Sequence, residues 1–298
     1  MDHPGARLGS FQPPHLNFAT SCFGFCGVRS GNRSFMYMHG LALSPETQEK
    51  EGLLNSALYM LEERAPDDPW DALKRLLKTE SPDAARDVFA VTKGMGFLAK
   101  GAAMRVFESS LFPPSIKEAV VNFMISYNPN YVAREYYSSG LPHKLTSISI
   151  DGITEQRPDP DNRVELSDQL DPFGVPRPRV TWRVGEQERM SLLRIAEIMS
   201  EELVSAGLPA PELESWVVER RLQDAVLIDM CHSSGTTRMS DDPSQGVVDS
   251  DGKVHDVSGL YVAGSSVFPS IGHSNPTLSA IAMSIRLADH LKGRAALD

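Results

Sequence analysis

The sequence predicts an α+β protein, an antiparallel sheet with covering helices, and three observations carry that expectation. Apolar residues recur at helical spacing through 44–135. They alternate as on strands in short runs over 145–185, separated by turns rich in Pro, Asp and Gly. A long amphipathic helix follows over 186–206, placed to cover a face of that sheet.

Residues 1–43 are rich in Gly, Pro, Ser and aromatics without a clean period, and predict loop with short strands. Ser44 as N-cap and Pro45 at the first helical position then predict a helix whose apolar face carries Leu53, Leu54, Ala57, Leu58 and Leu61. Asp68-Pro69 starts a second helix in the same way, with Trp70, Leu73, Leu76 and Leu77. Ser81-Pro82 starts a third, running into Val88, Phe89 and Val91, and Ser115 to Ser126 reads as a fourth. The aromatics and methionines of this motif-free block belong to a core or line a substrate cavity. Leu145–Ile150, Asn162–Leu166 and Arg179–Val184 read as three strands of an antiparallel meander. The next helix buries Leu192, Ile195, Met199 and Leu203 and stops at Gly207.

Composition narrows the function classes. The 298 residues suffice for one large domain or two smaller ones; 41% are apolar and 23% charged, as in ordinary globular proteins. A net charge of −10 argues against a nucleic-acid binder, which needs a basic face to follow phosphates. Three cysteines (Cys22, Cys26 and Cys231) are too few for a disulfide framework, and Cys22 and Cys26 have no second pair downstream to complete a zinc site, so no metal is expected. The chain shows neither a membrane-spanning apolar run nor a signal-peptide pattern at its start, which makes a cytoplasmic chain the default.

The chemistry concentrates between Cys231 and Lys292. A strand from Val226 runs into Cys231-His232, followed by small or hydroxylated residues, Ser233 to Thr237, with Gly235 among them. A histidine there suits a general base near neutral pH; a structural histidine at a strand end is the alternative. Further on, Asn275-Pro276 opens a helix with the apolar stripe Leu278, Ile281, Ile285, Ala288 and Leu291, ended by Lys292-Gly293. Its N-terminus offers unpaired N–H groups and partial positive charge, suited to negative charge on a ligand or simply to a capped helix. A hydrolase using Ser233 or Ser265 is a weaker reading, since no Gly-x-Ser-x-Gly elbow is present.

Taken together, these motifs resemble the C-terminal signature of the glucose–methanol–choline (GMC) flavoprotein oxidoreductases. The residues are His232/Gly235/Thr236/Met239, Val247-Val248-Asp249, Gly259-Leu260-Tyr261-Val262, Ser266-Val267-Phe268-Pro269 and Asn275-Pro276-Thr277, in the family's order. Pro158 to Pro176 is similar to the family's substrate-domain sheet, and Asp2-His3-Pro4 to a segment midway along its members. Ser240 and Asp256 stand where the family usually has Gly.

The resemblance implies FAD as cofactor and oxidation of an alcohol or sugar at a CH–OH group. It implies His232 as the base, and Asn275 as the residue that orients the substrate oxygen, with His273 as a rival for that second role. Gly264, Ser265, Asn275, Pro276 and Thr277 would lie along the cofactor. It also implies a fold in which residues 1–10 and 223–298 belong to an α/β, Rossmann-like FAD-binding domain and 11–222 to the substrate-binding domain. The family's GxGxxG unit is not seen: Gly24, Gly27 and Gly31 lack its spacing and no βαβ pattern surrounds them. Three explanations follow, in order: a gene fragment or misplaced start, a subunit completed by a separate N-terminal FAD-binding chain, or a non-catalytic binding module. Without that unit the strands at 226–267 would present an unpaired edge and an apolar face.

Overall fold

The computed structural model describes residues 1–30, 33–109, 113–127 and 143–295. The predicted stretches 128–135 and 296–298, and Gly31, lie outside the described residues, as does the side chain of Cys26. The fold is α+β, built on a seven-stranded sheet. Strand β1 (Pro4–Phe11) sits between β5 (Leu145–Thr154) and the short β8 (Glu212–Leu213), and β9 (Leu227–Asp229) pairs with its first residues. Beyond β5 come β4 (Ser56–Arg64), β3 (Arg33–Ala42) and β2 (Gly24–Ser30). All these pairings are antiparallel.

The first 43 residues, expected as loop with short strands, hold three strands of seven to ten residues and a short helix, α1 (Leu16–Cys22). Strand β1 escapes the alternation rule because both of its faces are covered: Pro4, Gly5, Ala6, Leu8, Gly9 and Phe11 are all buried. The helix expected from Ser44 also differs. Helix α2 (Pro45–Glu51) begins as predicted, the Ser44 hydroxyl accepting from Thr47 N–H at 3.2 Å, but it ends at Gly52, which takes a left-handed conformation (φ 64°). Leu54 to Leu61 then enter and form β4, where Ser56, Leu58 and Met60 are buried and the residues between them less so.

The helical block is otherwise present as α3 (Pro69–Leu77), α4 (Ala84–Lys93), α5 (Met95–Glu108) and α6 (Pro114–Tyr127). The third predicted helix is capped two residues later than expected, by Asp83, whose carboxylate accepts from Arg86 N–H at 3.0 Å. Its side chains correct the expectation of a core: Leu77, Phe89, Met95, Phe123 and Tyr127 are all exposed. Helix α3 is anchored by Asp68, which is fully buried. One carboxylate oxygen accepts from Trp70 and Asp71 N–H and lies 3.1 Å from His143 Nδ1; the other accepts from Lys144 N–H at 2.8 Å.

The strands expected as one meander over 145–185 divide between two sheets. Strand β5 joins the large sheet, while β6 (Arg163–Leu170) and β7 (Pro176–Thr181) form a separate ribbon whose Leu166, Phe173 and Val180 are exposed. Helix α7 (Glu186–Ser205) lies on the sheet as expected, with Leu192, Ile195, Met199 and Leu203 buried against Leu8, Leu58 and Ile150. Burial of each such side chain contributes about 1.5–3 kcal/mol. After the short α8 (Ser215–Val218), β9 leads to the last helix, α9 (Thr277–Ala295), which runs through Gly293 rather than stopping there. Gly259–Val262, expected as a strand, makes only an isolated bridge between Tyr261 and Lys253. Among the described residues no helix is long and apolar enough to cross a membrane.

Candidate active site

Three segments meet at the end of β9. Pairing of Pro4 with Asp229 and Gly5 with Ile228 brings residues 1–3 beside 230–232. There the chain turns sharply: Cys231 has φ 58°, uncommon for a residue with a side chain, and its N–H donates to the Asp229 carboxylate at 3.1 Å. Beyond His232 the chain is held to 265–267 by backbone bonds, Gly235 N–H to Ser265 C=O (3.1 Å), Thr237 to Ser266 (2.9 Å) and Met239 to Val267 (2.9 Å). Gly235 takes a left-handed conformation (φ 74°), and a Cβ there would also lie 3.0 Å from the Phe268 carbonyl and 2.4 Å from the end of the Met1 side chain.

His232 sits in a polar network that includes the start of β1. Its Nδ1 is 2.6 Å from Nε2 of His3, and the two rings meet edge to face. His3 is fully buried, and its Nδ1 lies 3.3 Å from the Gly272 carbonyl. The Asp2 carboxylate accepts from His3 N–H at 2.7 Å and from His232 N–H at 3.2 Å, while Asp2 N–H donates to Gln156, itself bonded to Trp182 and to the Arg183 carbonyl. Burial pushes the His3 imidazole below the ordinary histidine value, against the opposing pull of the Gly272 carbonyl; His232 pushes the same way as burial. Among the described residues Nε2 of His232 has no hydrogen-bond partner, and it is not one of the buried atoms left without one.

The second predicted residue, Asn275, is exposed and makes no hydrogen bond among the described residues. The first bond of α9 runs from Ala280 N–H to Pro276 C=O, so the helix begins one residue later than Asn275-Pro276 implied. His273 turns elsewhere, its Nδ1 3.0 Å from Asn55 Oδ1, and burial lowers its pKa. Neither residue hydrogen-bonds to His232.

Of the residues expected along a cofactor, Ser265, Pro276 and Thr277 line one trough of ≈ 490 Å³, with Ala280, Ile281, Ser284, Ile285 and Ala288 of α9 as its apolar wall. Gly264 opens onto free space beside it, where an added Cβ would meet nothing within 4 Å. Ser265 ties this trough to the histidine segment, its hydroxyl donating to the Ser233 carbonyl at 3.2 Å. Nearby, Thr237 Oγ1 is buried without a partner, an atom that a bound group or water would satisfy. A flat, largely apolar ring system with a polar edge suits an apolar trough ending at the unpaired N–H groups of a helix. A second cleft, of ≈ 330 Å³, separates the β6–β7 ribbon from 229–236.

Two clusters among the described residues have a metal-ligand composition, Asp2–His3–His232 and Asp68–Asp71–His143. The His3–His232 separation of 2.6 Å is that of a hydrogen bond, and the Asp2 and Asp68 carboxylates are occupied by backbone N–H groups.

The family model described as GMC oxidoreductase matches residues 158–284, from the loop before β6 into α9. Over those residues the chain is similar to the C-terminal portion of the GMC oxidoreductases. Among relatives, paromamine 6′-oxidase of Streptomyces fradiae is 28% identical over 163 residues, 55% of this chain and 29% of that protein. The fructose dehydrogenase large subunit of Gluconobacter japonicus is 33% identical over 136 residues, 45% of this chain and 23% of that one. The matched part thus spans about a quarter of each relative's length. A solved formate oxidase from Aspergillus oryzae RIB40 aligns with 99% of this chain and 46% of its own, at 19% identity and a TM-score of 0.44.

Two details of the GMC portion become clear in the structure. Asp256, where Gly is usual, has φ 58°, a backbone that glycine adopts without cost. Ser240, the other departure, caps its own loop by accepting from Asp242 N–H at 3.1 Å. His3, Asp2 and Gln156 were not among the expected site residues. The Asp-His-Pro motif was the signal that could have found the first two.

Proposed function

We propose that this chain contributes the substrate-facing half of an FAD-dependent oxidoreductase that oxidises a CH–OH group of an alcohol or sugar. His232 is the base. The observation that carries this reading is a histidine with one nitrogen held by a buried network and the other free, on a segment stitched to the trough that ends at α9.

In the oxidation one C–H and one O–H bond break. FAD, when bound, supplies the two-electron acceptor for the C–H hydrogen and its electron pair. The hydroxyl proton passes to Nε2 of His232. Asn275, exposed and unengaged, orients the substrate oxygen; His273 is less suited because Asn55 engages it. Gly264 and Ser265 admit the ring system closely. The N–H groups that follow Pro276, beginning at Thr277, favour negative charge at its edge.

In this reading residues 1–10 and 223–298 form the FAD-side portion and 11–222 the substrate-binding portion. A GxGxxG-bearing portion, in the same polypeptide or on a separate N-terminal chain, completes the cofactor site. Leu278, Ile281 and Ile285, exposed along α9, support a face that such a portion covers. Adding FAD to the chain, alone and together with a GxGxxG portion from a GMC relative, should give a protein-bound flavin spectrum that bleaches on addition of an alcohol or sugar under anaerobic conditions. If neither preparation holds flavin, the oxidoreductase reading of this chain fails.

A further inference from the structure

We propose that His3 is a positioning residue for His232, fixing the tautomer in which Nε2 of His232 is free to take a proton. The inference rests on the reading of His232 as the base, and it follows from which atoms in the network can donate.

The chain of hydrogen bonds has one fixed end. The Gly272 carbonyl can only accept, so Nδ1 of His3 carries the proton that faces it at 3.3 Å. His3 is completely enclosed and burial disfavours its cation; in the neutral ring that results above the ordinary histidine value, about pH 6.5, Nε2 is bare. That bare nitrogen lies 2.6 Å from Nδ1 of His232, and two bare nitrogens cannot share such a distance. Nδ1 of His232 therefore carries a proton and donates it to His3. In neutral His232 this leaves Nε2 unprotonated, and among the described residues it is the ring atom without a hydrogen-bond partner.

The same geometry defines the role of Asp2. Its carboxylate is bonded to the backbone N–H groups of His3 and His232, not to either ring. It fixes the two main chains at the right separation and leaves orientation of the imidazole to His3. Burial disfavours a proton on His3, the Gly272 carbonyl and the Asp2 carboxylate favour one, and His232 and His273 oppose it. A proton on His3 would turn its Nε2 into a donor, and Nδ1 of neutral His232 would then have to accept, moving the His232 proton to Nε2.

The arrangement differs from a carboxylate–histidine pair in one respect. A neutral imidazole partner selects the tautomer without placing a negative charge against the base.

The test uses the full chain labelled with ¹⁵N-histidine. Two-bond ¹H–¹⁵N correlation above the ordinary histidine value, about pH 6.5, reads the protonated nitrogen of each ring, with His3→Gln and His232→Gln variants for assignment. The expected result is Nδ1–H and bare Nε2 on both His3 and His232. A proton on Nε2 of His232 overturns the proposal. In His3→Leu the single Nδ1–H state of His232 should be lost to a mixture of tautomers; an unchanged signature also overturns it. His3→Gln, whose amide oxygen can accept from Nδ1–H, should retain the signature if His3→Leu does not fold, and a mixture there counts against the proposal. These tautomers are read without flavin or substrate. If they are as stated while His232→Ala leaves flavin reduction unchanged, the reading of His232 as base has failed and the positioning geometry has not.

Discussion

The two ends of this molecule hold their apolar residues differently. On the large sheet, Leu8, Leu58, Ile150, Leu192 and Leu193 are almost wholly enclosed between β1, β4, β5 and α7. In the segment from Cys231 onward, the buried cluster among the described residues is the smaller one of Val248, Val267 and Phe268, with Met239, Val254 and Val262 partly buried against it, while Leu278, Ile281 and Ile285 of α9 are exposed. Order there comes from backbone bonds between 235–239 and 265–267 and from the Asp2–His3–His232 network. The contrast teaches that the sheet is the scaffold and the chemical segment is fastened to it by polar contacts, chiefly through β1 and β9. A segment so fastened can leave one face open while His232 stays fixed.

The largest effect on stability is expected in the enclosed half. Ile150→Ala should lower the unfolding free energy by about 2–5 kcal/mol, because it leaves a cavity under α7. Urea denaturation reads this, and a loss under about 1 kcal/mol would mean the sheet core is looser than its burial states. Next comes the polar fastening. Asp2→Ala removes an acceptor from two backbone N–H groups and should cost about 1.5–3 kcal/mol. Hydrogen exchange should show the loss concentrated at residues 1–5 and 227–235 rather than spread through β4 and α7.

Acid should separate the two regions further. Burial holds His3 and His273 below their ordinary values, so the unfolded chain binds more protons than the folded one as pH falls through that window. Their contribution is fully present above about pH 6.5 and is lost as the pH drops toward the folded values. The α3–α4 pair runs on a different window. Hydrogen bonds from Arg75 and Ser81 hold the Asp87 carboxyl at about 2, so its contribution persists until the solution is much more acid. Histidine and Asp87 resonances followed by NMR should therefore move in two separate steps; a single shared step would contradict the distinction. The smallest effect belongs to the open face. Ile285→Ala should change stability by no more than about 0.5 kcal/mol, and a larger loss in thermal unfolding would show that the stripe is covered in solution.

Much of this was legible in the residues. Asp68-Pro69 and the stripe Leu192, Ile195, Met199 and Leu203 announced α3 and α7, because caps and helical spacing are local signals. Leu53 to Leu61 misled because a short apolar run fits both periods, and the left-handed turn at Gly52 decided the matter. Strand β1 was hidden by having two covered faces. His232 was legible as chemistry, but its partner was not. His3 lies 229 positions away, and only the pairing of β1 with β9 brings them together. The openness of α9 was equally invisible, since an apolar stripe carries no record of whether anything covers it.

The central claim is that His232 takes the substrate proton. In the chain completed with a GxGxxG portion and FAD, anaerobic stopped-flow mixing with an oxidisable alcohol or sugar reads flavin reduction directly. His232→Ala should slow that reduction by about 10²–10⁴-fold while FAD remains bound. Reduction at the unsubstituted rate would contradict the account.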